Sequence, residues 1–114
     1  MKFYSTNNRD IRVSLQEAVF NSLPKDRGLY MPETIPSLDP MFIRNIQQYS
    51  LDEIAYRVAK SILGDDDIPA DDLKRIVRDA INFDVPVKFL DDNTAVLELF
   101  HGPSYAFKDF GARF

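Results

Sequence analysis

The sequence predicts an α+β protein in which a small, mainly helical N-terminal domain, residues 1–83, is followed by a β-hairpin and a short further segment, residues 84–114. Two observations predict this fold class. Serine-initiated capping boxes precede apolar residues at helical spacing in the first part. After Phe83 the apolar residues form short extended runs around a polar turn. The 114 residues are enough for one small hydrophobic core.

Composition narrows the class of protein. Hydrophobic residues make up 45% and charged residues 28% of the chain, which is ordinary for a globular protein and argues against disorder. The net charge of −4 disfavours a nucleic-acid partner. The absence of cysteine excludes disulfides and thiolate metal sites. The polar N-terminus and the lack of a long apolar run predict a cytoplasmic protein without a membrane partner.

The N-terminal part contains sequence signals for two strands and a helix. A short strand is predicted at Phe3 and Tyr4, and an extended segment at residues 28–32. Ser14 and Glu17 form a capping box for a helix that Pro24 ends. The apolar positions expected on its inner face are Leu15, Ala18, Val19 and Leu23, with Val13 as a hydrophobic staple before the cap.

Three further helices are predicted. Asp39 and Pro40 have the pattern of an N-cap and first helical residue, for a helix to about Gln47. Ser50 and Glu53 form a second capping box, for a helix that Gly64 ends. Pro69 begins the last helix. The expected inward residues are Phe42, Ile43 and Ile46; then Leu51, Ile54, Ala55, Val58, Ala59 and Ile62; then Leu73, Ile76, Val77, Ala80 and Ile81. Lys74, Arg75 and Arg78 are expected on the solvated face.

Residues 65–67 form an acidic loop. Carboxylates are suitable calcium ligands, but the spacing, the central glycine and the terminal glutamate of an EF-hand are missing. A solvated loop beside a helix start is the favoured interpretation. Further on, residues 85–90 and 94–100 are predicted as strands of a hairpin whose loop is residues 91–93.

The segment after this hairpin places one lysine, Lys108, in an unusual setting. A strand is predicted to end at Phe100, followed by a turn at residues 101–103, and Ser104 is placed to cap the next helix. Phe107, Phe110, Ala112 and Phe114 suit a buried helix. A helix N-terminus disfavours an ammonium group and favours a phosphate. A neutral amine there suits Schiff-base chemistry with an aldehyde cofactor that carries a phosphate.

Spacing alone leaves a simpler interpretation open for each of these residues. Lys108 could be a surface lysine whose stem packs on aromatic neighbours. His101 beside a Gly-Pro turn could be a structural hydrogen-bonding group, and Ser104 a helix cap. Asp109 and Arg113, four residues apart, could pair on the helix surface.

The run Glu-Leu-Phe-His-Gly-Pro-Ser-Tyr-Ala-Phe-Lys-Asp, residues 98–109, closely resembles the segment of threonine synthases that bears the lysine for pyridoxal phosphate (PLP). The family pattern has threonine where this chain has Ser104, which keeps the hydroxyl. The opening also resembles the family, because Gly-Leu-Tyr-Met-Pro at residues 28–32 is similar to its Gly-Gly-Leu-[Phe/Tyr]-x-Pro. Arg27 replaces the first glycine.

This resemblance implies a fold, a reaction and a site. Residues 1–83 would be the threonine synthase N-terminal domain, and residues 84–114 the start of a tryptophan-synthase-β-like (fold type II) PLP domain. The enzyme would convert O-phospho-L-homoserine and water to L-threonine and phosphate. Lys108 would be catalytic and would bind PLP, and Ser104 and His101 are candidate cofactor contacts. No metal is implied.

The resemblance also implies that the 114 residues are the N-terminal part of a longer enzyme. On their own they are expected to be inactive, to bind PLP poorly and to expose aromatic residues near the C-terminus, through which they could self-associate. Two alternatives remain. One is a non-enzymatic helical interaction module. The other is a different PLP-dependent β-family lyase, such as a serine or threonine dehydratase, although the Ser-x-Lys-x-Arg segment of those enzymes is absent.

Overall fold

The computed structural model describes residues 2–64 and 66–114. Its contacts divide the chain into two compact units, the first ending at Leu73 and the second running from Lys74 to Phe114. The regular elements are β1 Lys2–Ser5, β2 Arg12–Ser14, α1 Leu15–Asn21, β3 Tyr30–Pro32, α2 Pro40–Arg44, a 3-10 turn Ile46–Gln48, α3 Leu51–Leu63, α4 Ala70–Ala80, β4 Val87–Phe89, β5 Ala95–Leu97 and α5 Asp109–Arg113. The chain therefore mixes helices and strands, while the domain boundary at residue 83 stays a prediction.

A three-stranded antiparallel sheet lies at the start of the first unit. Its order is β2-β1-β3, and Phe3 of the central strand lies opposite Val13 on one side and Pro32 on the other. β1 and β3 confirm the predicted strand and extended segment. The prediction of a mainly helical domain missed β2 and the sheet itself. β2 has only three residues and runs directly into the Ser14 cap, so the helix signal concealed it.

A buried polar contact closes this sheet. Ser5 is fully buried, and its hydroxyl donates to the carboxylate of Asp26, with its Oγ 2.7 and 2.8 Å from the two oxygens. The backbone N–H of Gly28 donates to the same carboxylate over 3.0 Å. A Cβ at residue 28 would lie 2.3 Å from Ser5 Oγ, so the close approach of the two chain segments requires glycine there.

The helix starts and the end of α3 confirm the sequence signals. The predicted end of α2 at about Gln47 is wrong, because α2 ends at Arg44 and a 3-10 turn follows at Ile46–Gln48. Both capping boxes are formed, with the hydroxyls of Ser14 and Ser50 accepting from the N–H of the third helical residue and both glutamates bonding back. Asp39 accepts from the N–H of Met41 and caps α2, whose first residue is Pro40. α3 ends at Gly64, which has a φ of 78°.

The inner faces of the helices differ in part from the predictions. In α1 only Ala18 is buried, while Val19 is 63% exposed and Leu23 is 59% exposed. The helix ends at Asn21, before Leu23, so the predicted apolar stripe is not completed. In α2 Phe42 is buried as predicted. Four other residues of α2, the 3-10 turn and α3 were predicted to face inward but are exposed: Ile43, Ile46, Leu51 and Val58.

An arginine covers the aromatic part of this unit. The guanidinium carbon of Arg57 lies 5.1 Å from the ring centroid of Phe42 and 4.6 Å from that of Tyr49. The two rings contact each other at 5.2 Å. This cation–π packing places a charged residue of α3 over the buried face of α2, a contact that the apolar spacing did not predict.

α4 agrees with its prediction. Leu73, Val77 and Ala80 are each 1% exposed, and the basic residues Lys74, Arg75 and Arg78 are exposed. In the acidic loop, Asp65 lies outside the described residues. Among residues 2–64 and 66–114 no group of three or more potential metal ligands occurs, and no helix has the length and apolar character needed to cross a membrane.

The second unit contains the predicted hairpin in a shorter form. β4 pairs antiparallel with β5, Val87 lying opposite Leu97, and the loop carboxylate of Asp91 accepts from the N–H of Asn93 over 2.8 Å. The strands end at Phe89 and Leu97, so the predicted extension to Phe100 is wrong. Every residue of both strands is exposed, and without a covering layer an apolar run does not extend the ladder.

Ser50→Ala tests the capping box of α3. The change removes the hydroxyl that accepts from the N–H of Glu53, so we expect the free energy of unfolding to fall by about 1 kcal/mol. Ser61→Ala is the matched control in the same helix, since its hydroxyl donates only to the carbonyl of Val58. We expect that control to be neutral or slightly stabilising. Equal urea midpoints for the two variants would contradict the capping assignment.

The same box makes a prediction about pH. Hydrogen bonds from the backbone N–H and then the hydroxyl of Ser50 lower the pKa of Glu53. Its stabilisation is therefore complete above the unfolded pKa of about 4.3 and is lost as the pH falls through the lower folded value. A carboxyl 13C NMR titration should give a midpoint below that of a model peptide. In Ser50→Ala the midpoint of Glu53 should rise part of the way toward that of the model peptide. An unchanged midpoint would show that the Ser50 hydroxyl does not lower the pKa of Glu53.

Candidate functional site

The predicted lysine segment lies in the second unit, after β5. Residues 98–100 have no regular structure, and a turn occupies residues 102–108 before α5. The N–H of Tyr105 donates to the carbonyl of Gly102 over 3.0 Å, which closes the first half of the turn. Tyr105 has a φ of 55°, in the left-handed region that residues other than glycine rarely adopt. The segment is therefore a compact turn with an unusual backbone.

Lys108 is the N-cap residue of α5. Its carbonyl accepts from the N–H groups of Gly111 and Ala112, at 3.1 and 2.8 Å, so its backbone is part of the helix start. Its side chain is exposed, and within the described part of the chain its amine has no hydrogen bond or ion pair. Phe107 is 66% exposed. Shielding by Phe107 and Phe110 would favour a neutral amine further, but within these 114 residues Phe107 leaves the lysine exposed.

The residue after the lysine is the most constrained in the segment. Asp109 is 6% exposed, and each of its oxygens has one partner on Ser104. The N–H of Ser104 donates to Oδ2 over 2.9 Å, and its hydroxyl donates to Oδ1 over 2.7 Å. These two bonds, the hydroxyl first, lower the pKa of Asp109. Ser104 thus binds the first residue of α5, and the prediction that it caps the helix is wrong.

Gly102 completes this contact from the other side. A Cβ at residue 102 would lie 2.3 Å from Asp109 Oδ2 and 2.7 Å from Asp109 Cβ. Any side chain there would displace the carboxylate, so glycine is needed for space. Sequence reasoning treated Gly102 only as part of a turn and missed its relation to Asp109. The available signal was a serine and an aspartate on either side of a tight turn, which are residues that bond locally.

Arg113 fixes the other end of α5. Its guanidinium donates to Oδ1 of Asn82 over 2.8 Å and to the carbonyl of Asp79 over 2.7 Å. The predicted surface pair of Arg113 with Asp109 is therefore wrong, because each side chain bonds elsewhere. The ring of Phe110 meets that of Phe83 edge-on at 4.9 Å, so α5 is attached by two separate contacts.

His101 belongs to a different local group. Its Nε2 lies 2.7 Å from Oε2 of Glu98, and since an ionised carboxylate only accepts, this nitrogen donates. The imidazole ring stacks on Phe100 at 4.8 Å with an interplanar angle of 25°. Neither His101 nor Ser104 bonds to Lys108 among the described residues. The three predicted site residues share one turn, and their side chains have separate partners.

Several aromatic side chains around this turn are exposed. They are Phe100, Tyr105, Phe107 and Phe114. Ala112 is exposed as well, and Phe110, which contacts Phe83, is only partly buried. The prediction of a buried helix is therefore wrong for these 114 residues. The exposure agrees with the aromatic surface that the sequence predicts for this end of the chain.

The turn therefore presents the exposed primary amine of Lys108 directly before α5, whose first residue carries the ordered carboxylate of Asp109. Lys108 can react with an aldehyde without breaking any contact, because its amine has none among the described residues. The carboxylate of the neighbouring Asp109 is bonded to Ser104 and forms no ion pair with this amine. Chemically the arrangement suits a covalent bond between the lysine and a carbonyl compound.

Comparisons with known proteins place this geometry in a family. A family model described as the threonine synthase N terminus matches residues 2–81. The chain is 35% identical over 114 residues to threonine synthase of Haemophilus influenzae, with all of the chain and 26% of that protein covered. It is 37% identical over 119 aligned residues to threonine synthase of Schizosaccharomyces pombe, with all of the chain and 23% of that protein covered.

Solved structures of threonine synthases are also similar to this chain. Threonine synthase from Escherichia coli superposes with a TM-score of 0.90 at 34% identity, covering 97% of this chain and 26% of that one. PLP-bound threonine synthase from Brucella melitensis gives a TM-score of 0.85 at 38% identity, covering 96% of this chain and 24% of that one. The chain spans about a quarter of the length of these relatives. By its family match and its fold, the chain belongs to the threonine synthase N-terminal family.

Proposed function

We propose that this chain forms the N-terminal part of a threonine synthase that converts O-phospho-L-homoserine and water to L-threonine and phosphate. The observation that carries the proposal is Lys108, an exposed and unpartnered amine on an ordered turn. The alignments to threonine synthases extend over the whole chain, including this turn. The exposed lysine and the alignments together support a threonine synthase over a helical interaction module or another lyase.

The residues of the turn fit the cofactor that the Brucella melitensis relative binds. PLP supplies an electron sink for carbanion chemistry and attaches to proteins through a lysine amine. Lys108 offers that amine, and among the described residues nothing has to be displaced to use it. We propose that Lys108 Nζ would hold the cofactor through its aldehyde group in the absence of substrate and, when free, would take and return protons at the substrate Cα and Cβ.

Ser104 and His101 remain candidate cofactor contacts with different prospects. The hydroxyl of Ser104 has one proton, which it donates to Asp109, so it has none left for a phosphate oxygen in this conformation. His101 donates Nε2–H to Glu98 and keeps Nδ1 available. Nδ1 of a neutral imidazole is an acceptor, so we propose His101 as a contact to a donor group of the cofactor and not to its phosphate.

Four further predictions go with this proposed function. The first is that residues 84–114 begin a fold type II catalytic domain, to which they would contribute the hairpin and α5. Self-association through the exposed aromatic residues near the C-terminus is the second, and a cytoplasmic location is the third. The fourth is that residues 1–114 alone do not catalyse the reaction, because the curated relatives are about four times longer than the matched segment.

Lys108→Ala tests the assignment of the cofactor lysine. The product of the complete open reading frame that contains residues 1–114 is incubated with PLP, reduced with borohydride and mapped by mass spectrometry. We expect the pyridoxyl group on Lys108 in the wild type and no specific label in Lys108→Ala. Lys88→Ala, an exposed lysine of β4, is the matched control and should keep both label and activity. Full activity and labelling in Lys108→Ala would refute the assignment.

The prediction about residues 1–114 alone is tested by phosphate release. With O-phospho-L-homoserine and excess PLP, the isolated chain should release no more phosphate than its Lys108→Ala variant. Circular dichroism of both samples confirms that they are folded. Release that depends on Lys108 would show that these residues contain a working site.

A further inference from the structure

We propose that Asp109 is a positioning residue for Lys108, acting by binding Ser104 and so fixing the turn that presents the lysine amine. The proposal rests on the proposed function of Lys108 and deepens it. Asp109 does not have to touch cofactor or substrate. Its part is to set the direction in which the preceding side chain leaves the backbone.

The geometry of the contact supports this assignment. The two carboxylate oxygens accept from two donors of one residue, at 2.9 and 2.7 Å. Two parallel bonds fix both the distance and the orientation of the partners, whereas a single bond leaves rotation free. The five-residue separation makes the contact a closed loop, and Lys108 lies within it, directly before the carboxylate.

Burial makes this contact difficult to exchange for water. Asp109 is 6% exposed, while the next residue toward the N-terminus, Lys108, is exposed. A buried carboxylate that loses its donors is left without solvation, so breaking the contact is costly. The backbone at Asp109 is therefore ordered, while the amine of the preceding lysine is unpartnered. A reactive group on an ordered backbone can be held in the orientation that its reaction needs.

The remaining turn residues exclude other conformations. A Cβ at Gly102 would lie 2.3 Å from Asp109 Oδ2, so the backbone packs directly against the carboxylate. Tyr105 has a φ of 55° and donates to the carbonyl of Gly102. A left-handed tyrosine costs energy, and it persists only where surrounding contacts determine it. The Asp109–Ser104 contact is such a determinant.

A purely structural role for Asp109 explains less. α5 has its own attachments, because Arg113 donates to Asn82 and to the carbonyl of Asp79, and Phe110 packs against Phe83. Removing the carboxylate therefore leaves the helix attached through Phe110 and Arg113. What it frees is the turn from Gly102 to Lys108, which carries the amine.

The test uses the product of the complete open reading frame, with Asp109→Asn as the principal variant. Asparagine has the same size but carries no charge and has only one acceptor oxygen. The Ser104 hydroxyl would have to turn and accept from the amide NH2, and both bonds would lose the charge of the carboxylate, so the contact is weakened. We expect kcat to fall by about 10- to 100-fold, as for misplaced groups in other active sites. The dissociation constant for PLP should be unchanged, and the rate of borohydride trapping at Lys108 should fall. Asp92→Asn, in the exposed hairpin loop, is the matched control.

Ser104 provides a second pair of variants in case Asp109→Asn does not fold. Ser104→Ala removes the donor to Oδ1 and should reproduce the loss in kcat, while Ser104→Thr keeps a hydroxyl and should restore it. Trapping with pyridoxal, which has no phosphate, separates positioning from phosphate binding. A positioning role predicts equal loss with pyridoxal and with PLP.

Three results would overturn the proposal. Wild-type kcat and trapping rates in Ser104→Ala, which removes the hydroxyl bonded to Oδ1, would show that the contact does not position the amine. A loss in Ser104→Ala that appears with PLP and not with pyridoxal would make Ser104 a phosphate ligand instead. Wild-type protein without label on Lys108 would refute the proposed function itself, and the positioning role with it.

Discussion

The contact between the Asp109 carboxylate and Ser104 is the constraint on which the lysine segment depends. It determines where the turn after β5 ends and where α5 begins, and it explains why residue 102 is glycine. Both oxygens of the carboxylate are bonded within the turn, to Ser104. The adjacent lysine amine is exposed and unpartnered among the described residues, while the backbone beneath it is ordered.

The first unit contains a contact of the same chemical kind. There the hydroxyl of Ser5 donates to the carboxylate of Asp26, and Gly28 is the residue whose Cβ would collide, at 2.3 Å from Ser5 Oγ. In both places a serine, an aspartate and a glycine bring two chain segments closer than ordinary side chains permit. Such contacts suit short elements, which bury too little apolar surface to define their positions by packing alone. The strands of this chain have three or four residues.

Local chemistry made part of this structure predictable. The capping boxes of α1 and α3 and the hairpin loop depend on neighbours within a few residues, and all of them formed as expected. β2 was not predictable, because three residues carry no period and the adjacent cap indicates a helix. The burial of single positions was also misjudged, as at Val19, since it depends on tertiary neighbours. The role of Lys108 is predicted from its surroundings in the sequence. The partner of Asp109 could be found only in the folded turn, where the nearer candidate Arg113 bonds elsewhere.

Lys108 is the proposed point of attachment for PLP and the Asp109–Ser104 contact its proposed support, and a structure with the cofactor bound tests both at once. A crystal structure of the complete open reading frame product, grown with PLP, should show continuous density from Lys108 Nζ to the cofactor. In the same structure the Ser104 hydroxyl should remain within hydrogen-bonding distance of Asp109. Density that joins the cofactor to another lysine, or Ser104 turned from Asp109 to the cofactor phosphate, would contradict the account.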